Sequence, residues 1–177
     1  RDGQILMLPG GFSAGDEPAG SGKYIAAALR APVVRETVER HFVDGDRLIL
    51  GICNGFQALV RTGLVPYGRY VDRVPGAPSL APNTIGRHVS RTVLTRIDAD
   101  RGPWMAQATV GEIVSVPVSH GEGRFTADAS LVADLSRAGQ VAARYVDWQG
   151  RPRQDHPWNP NGSDDAIEAL LSPDGRF

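Results

Sequence analysis

The sequence predicts an α/β fold, a mostly parallel sheet flanked by helices, on three observations. Two short apolar runs, Gln4–Leu8 and 47–51, each end in a glycine-rich loop, as strands do when they carry a site at their carboxyl ends. Stretches with helical apolar spacing lie between and after them, so strand and helix alternate. Third, Gly51-Ile52-Cys53-Asn54-Gly55 sets a cysteine between glycines at a strand-to-helix junction, the thiol form of a nucleophile elbow.

Gln4–Leu8 reads as a buried strand running into the tight loop Pro9-Gly10-Gly11. Gly20 to Arg30 predicts a helix with Ser21 as N-cap and Ile25, Ala26 and Leu29 on one face. A second helix is expected from Val33 to Val43. Val34, Val38 and Phe42 would face inward and Arg35, Glu36, Glu39 and Arg40 outward, with Asp44-Gly45-Asp46 stopping it. Next come a strand over 47–51, the elbow, and a helix from Asn54 to Thr62 closed by Gly63. Loops 9–11 and 51–55 both follow strands of a parallel sheet and should meet at one edge.

The second half has a different texture. Residues 66–86 contain four prolines and predict an ordered excursion without regular structure. Val89–Ile97 and Ile113–Val118 alternate like strands, Asp128–Arg137 reads as a short helix, and Val141–Val146 as a strand. Residues 149–164 are rich in turn formers, and Ser172-Pro-Asp-Gly175 has the composition of a hairpin turn.

A chain of 177 residues is expected to form a single domain with a substantial core. A formal net charge of −1 with 22 % charged residues points to neither a nucleic-acid nor a membrane surface. No apolar run approaches the ~20 residues of a membrane span. Arg87, His88, Arg91 and Arg96 form a local basic cluster, read either as a solvated strand face or as a contact with another domain or subunit. Cys53 is the only cysteine, which rules out an internal disulfide and a multi-cysteine metal site and suits a reducing, cytoplasmic setting. A lone cysteine after an apolar strand is often a small core residue. Flanking glycines favour the nucleophile instead, because a core cysteine has no need of neighbours that tolerate strained dihedrals. A helix starting after Cys53 would aim N–H groups and its positive dipole end at the sulfur, supplying donors for an oxyanion.

Four motifs occur in order: Leu8-Pro-Gly-Gly-Phe-Ser13 with Gly15-Asp16, Gly51-Ile-Cys-Asn-Gly-Phe-Gln57, His120-Gly-Glu-Gly-Arg-Phe125 and Asn159-Pro-Asn-Gly-Ser163. Together they resemble the class I (triad) glutamine amidotransferase domain of phosphoribosylformylglycinamidine synthases, with its flavodoxin-like architecture. Asn83-Thr-Ile-Gly-Arg-His-Val-Ser90 and Gly15-Asp-Glu-Pro-Ala-Gly-Ser-Gly22 look closest to the large single-chain form. The resemblance implies that Cys53 attacks the side-chain amide of L-glutamine, releasing ammonia and leaving a thioester for water. By the same resemblance, the backbone N–H groups of Gly11 and Asn54 form the oxyanion hole. Phe12, Gln57, His120 and Glu122 line the glutamine site. Ammonia then serves ATP-dependent amide transfer in purine biosynthesis. The domain itself needs no cofactor, and ATP and magnesium belong to the synthetase domain or subunit that is its partner.

The family carries its general base in a His-x-Glu pair shortly after the Ser-Pro-Asp-Gly turn and begins with a strand and helix before the position of Arg1. The chain is therefore expected to be incomplete at both ends. His120-x-Glu122 has the same spacing as that pair, but the resemblance assigns it to a glycine-rich substrate loop. Two other readings stay open: a non-catalytic amidotransferase-like docking or regulatory module, and a cysteine hydrolase using His120 as base.

Overall fold

The computed structural model describes residues 3–11, 22–72 and 74–177. The expected N-cap Ser21 and the start of the first helix fall outside them. Two compact units divide the chain: residues up to Pro75 together with Ser172–Phe177, and Gly76–Leu171.

In the first unit, strands β1 (Ile5–Leu8) and β2 (Leu48–Gly51) pair in parallel, Leu8 beside Gly51, as the alternation of strand and helix requires. Between them run helices α1 (Lys23–Arg30) and α2 (Pro32–Val38), the latter started by Pro32, whose missing N–H costs nothing in a first turn. Helix α2 widens at Glu39–Val43 into a turn with i to i+5 bonding, closed by the Asp44 N–H donating to the Glu39 carbonyl at 2.8 Å. Val38 and Phe42 are buried as the spacing predicts, but Val34, in the first turn of α2, is exposed. Helix α3 (Asn54–Thr62) ends at Gly63 in the left-handed conformation (φ 87°), and a single helical turn, α4 (Leu64–Tyr67), follows.

One further expectation needs correction. Strand β1 is not buried, since Ile5 and Met7 are each more than half exposed on one of its faces. After the Ser172–Gly175 turn the chain comes back as a short arm. Gly175 N–H donates to the Ser172 carbonyl and Ser172 N–H to that of Phe177, while Ile49 N–H of β2 donates to the Arg176 carbonyl at 3.1 Å. Residues 176–177 thus run along the side of β2.

In the second unit a four-stranded antiparallel sheet is ordered β5-β4-β7-β8, from β4 (Val89–Ile97), β5 (Ile113–His120), β7 (Val141–Tyr145) and β8 (Ile167–Leu170). A small pair joins β3 (Ser79–Ala81) to β6 (Arg124–Thr126), and helix α5 (Ala129–Arg137) precedes β7. Val89, Val93, Val118, Tyr145 and Ala166 form one core cluster, drawn from one face of β4, β5 and β7 and from the residue just before β8. Strands β3, β6 and β8 escape the sequence reading because runs of three or four residues show too little periodicity.

Candidate active site

Cys53 occupies the turn between β2 and α3 with φ 52° and ψ −109°, a region nearly closed to residues bearing a Cβ, and its side chain is exposed. The neighbouring glycines explain how the turn closes. A Cβ on Gly55 would lie 2.0 Å from the Leu8 carbonyl oxygen, and one on Gly51 would lie 2.6 Å from Leu59 Cδ1. Only hydrogen at both positions lets α3 start against the end of β1. The Ile52 N–H donates to the Leu8 carbonyl at 2.9 Å, tying the elbow to β1.

The two glycine loops meet, as expected. A Cβ on Gly10 would come within 2.9 Å of Cys53 Cβ and 3.7 Å of its Sγ, so the first loop passes directly beside the thiol. Gly11 follows with φ 124°, a conformation that suits glycine and turns its peptide out of line with β1. Asn54 opens α3, where N–H groups point out of the helix end towards any negative charge near Cys53. Gln57, buried in the first turn, donates its backbone N–H to the Cys53 carbonyl at 3.0 Å and packs beneath Gly22 at the head of α1. Phe12 lies outside the described residues. Gly10 was missed from the sequence because its role is space, and a glycine next to another carries no mark of which one faces a side chain.

His120 and Glu122 sit in the second unit, His120 as the last residue of β5 and Glu122 in the loop joining β5 to β6. A clamp of buried side chains holds that loop. Asn83 donates from Nδ2 to the carbonyls of Arg87 (3.0 Å) and His120 (2.9 Å) and accepts the Gly123 N–H at 3.1 Å. Asn161 donates to the Gly123 carbonyl at 2.8 Å, and Ser163 Oγ accepts the Phe125 N–H at 3.0 Å. Asn161 and Ser163 are bound to each other through Ser163 Oγ donating to Asn161 Oδ1 at 2.7 Å. Buried amides stand here because each satisfies main-chain groups that a tight loop leaves unpaired. Burial, reinforced by the charge of His88, holds the His120 imidazole below its ordinary pKa and favours the neutral ring. Asn83 and the Asn-Pro-Asn-Gly-Ser segment stand out in the sequence as motifs, but nothing there distinguishes a buried asparagine from an ordinary turn former. Among the described residues no group of three or more His, Cys, Asp or Glu side chains is placed to hold a metal ion. No helix among them is long and apolar enough to cross a membrane.

Comparison with known proteins gives the family of the chain. A family model described as CobB/CobQ-like glutamine amidotransferase domain matches residues 1–177. This chain belongs to that family. Among curated amidotransferase relatives, the phosphoribosylformylglycinamidine synthase subunit PurQ of Methanococcus maripaludis strain C7 is 35 % identical over 180 residues, covering 99 % of this chain and 62 % of its own length. The protein of the same name from Salinibacter ruber is 34 % identical over 174 residues, with 98 % and 66 % covered. A solved structure titled "Structure of PurLQS from Thermotoga maritima" superposes with a TM-score of 0.69 at 27 % identity, covering 99 % of this chain and 66 % of that one. The chain thus spans just under two thirds of the length of the relatives it matches.

Proposed function

We propose that this amidotransferase domain hydrolyses L-glutamine at Cys53 and supplies ammonia for the synthesis of phosphoribosylformylglycinamidine, the activity named for its curated relatives. The observation that carries the reading is the Cys53 backbone at φ 52° and ψ −109°, a strained conformation that presents a thiol at a helix N-terminus beside a second glycine loop. The Cys53 sulfur attacks the γ-amide carbon, and the oxyanion that forms is met by the backbone N–H groups of Gly11 and Asn54. Collapse of this intermediate breaks the C–N bond. Ammonia leaves with a proton returned to it, and water then cleaves the γ-glutamyl thioester to glutamate and free thiol. A synthetase domain or subunit is the recipient of the ammonia, and ATP and magnesium are assigned to that partner. The solved structure titled PurLQS supports the choice of partner.

An alkylating glutamine analogue tests the reading. Peptide mass spectrometry should find the label on Cys53, excess glutamine should suppress it, and Cys53→Ser should remove ammonia release. Labelling indifferent to glutamine would overturn the proposal in favour of a cysteine hydrolase or a docking module.

A further inference from the structure

The basic cluster on and just before β4 plays no part in the chemistry above, and its Arg91 lines a groove in the second unit. That groove, of about 190 Å³, is lined by Arg91–Leu94, Ser115, Trp148, Pro157 and Trp158. It is too small for a typical whole ligand and suits one large side chain. Trp148 and Trp158 meet edge to face with ring centroids 5.3 Å apart, yet Trp148 is 73 % exposed, an unusual position for the largest apolar side chain.

Main-chain geometry shows what the groove accompanies. Strand β4 pairs with β5 along Val89–Arg96, but with β7 only over Thr95–Ile97, extended by the Val146 N–H donating to the Leu94 carbonyl at 3.0 Å. Antiparallel ladders alternate, so groups that point towards β7 at Leu94 point the same way at Thr92 and Ser90. Thr92 lies opposite Pro117, which has no N–H to give, as a pair facing away from each other requires. Beyond Leu94 no strand among the described residues covers that side, and Ser90, Arg91 and Thr92 are all exposed. The other edge of this sheet, on β5, is blunted by Pro117, whose nitrogen faces outward. The edge of β4 has no such guard.

We propose that the open edge of β4 is a docking site for an extended acidic segment of a partner protein, which adds as a strand beside Val89–Val93 and seats one apolar side chain in the groove against Trp148 and Trp158. Extended chain is required because the free groups are main-chain donors and acceptors at strand spacing. Acidic character follows from Arg87 and Arg91, which have no ion-pair partner among the described residues, whereas Arg96 on the same strand pairs with Asp98 at 2.6 Å. A second copy of this chain is disfavoured, because joining two such edges would bring arginines together.

Titration of the whole protein with a short peptide of alternating glutamate and valine around a central leucine tests this, read by amide exchange and tryptophan emission. Controls are the same peptide with lysine for glutamate, one with alternate prolines, and an oligothymidine. The acidic peptide should slow exchange at Ser90 and Thr92, shift the emission, and bind about tenfold more weakly to Arg91→Glu and to Trp148→Ala. Both side chains are exposed, so these variants keep the fold. Thr92→Pro removes only the outward N–H and should weaken binding likewise. Failure to bind at millimolar peptide, equal binding of the lysine or proline peptide, or tighter binding of the oligonucleotide would overturn the proposal. So would self-association in sedimentation that Arg91→Glu abolishes.

Discussion

Cys53 holds a backbone conformation that costs the fold stability, since a Cβ at φ 52° and ψ −109° crowds its own peptide groups. Its side chain is exposed and returns little packing. Cys53→Gly should therefore stabilise the protein, by about 1 kcal/mol, while abolishing ammonia release. Urea unfolding checks the first half, and a variant less stable than the parent would refute the claim of strain. At this scale the sequence was most informative. Gly51 and Gly55 flank the thiol because no larger residue fits against Leu59 and the Leu8 carbonyl, and that necessity leaves a pattern of letters. Asn83 and Asn161 leave no such pattern. Their importance lies in which distant carbonyls they reach, Gly123 for one, and partners of that kind are set by the fold.

Among elements, helix α3 was legible to the residue because an elbow begins it and a glycine ends it. Helix α2 was legible only in part. Its first turn leaves Val34 exposed and its last turn widens, and the i, i+4 pattern contains no warning of either. Strand β8 was invisible, yet it carries an ionisable group in an unfavourable setting. Burial pushes the Glu168 carboxyl up from its ordinary 4.5 to about 7, and burial, with the Glu168 charge added, raises Tyr145. The folded state then keeps a proton that the unfolded chain releases between those values. Glu168 thus favours folding below pH 4.5, and that contribution is lost as pH rises through 7. Glu168→Gln should match the parent near pH 4 and exceed it at pH 8 by about 2 kcal/mol, after allowing for partial exposure. Unfolding midpoints across that range decide it. Parallel profiles for the two proteins would show that the carboxyl does not titrate in apolar surroundings.

For the molecule as a whole, the alternation of strand and helix in the first half and of strands in the second was readable as a change of texture near residue 66. The pairing it produced was not, because antiparallel order in β5-β4-β7-β8 depends on contacts far apart in sequence. The first unit likewise joins segments far apart in sequence. Arg176 donates to the carbonyls of Phe42, Val43 and Gly45, where the turn after α2 runs out, and it also pairs with Asp174. Arg176→Met should cost about 2 kcal/mol through those unpaired carbonyls, measured by denaturant unfolding. A change near zero would mean that water replaces the guanidinium without loss.

The returning arm at 172–177 also sets an order of events during synthesis. The strand that leads into the elbow acquires its Arg176 partner only after the whole second unit has been made. A ribosome-bound chain that already displays Gly-Ile-Cys-Asn-Gly thus lacks one wall of its nucleophile strand. The reactive elbow is thus made well before the segment that closes the side of its strand.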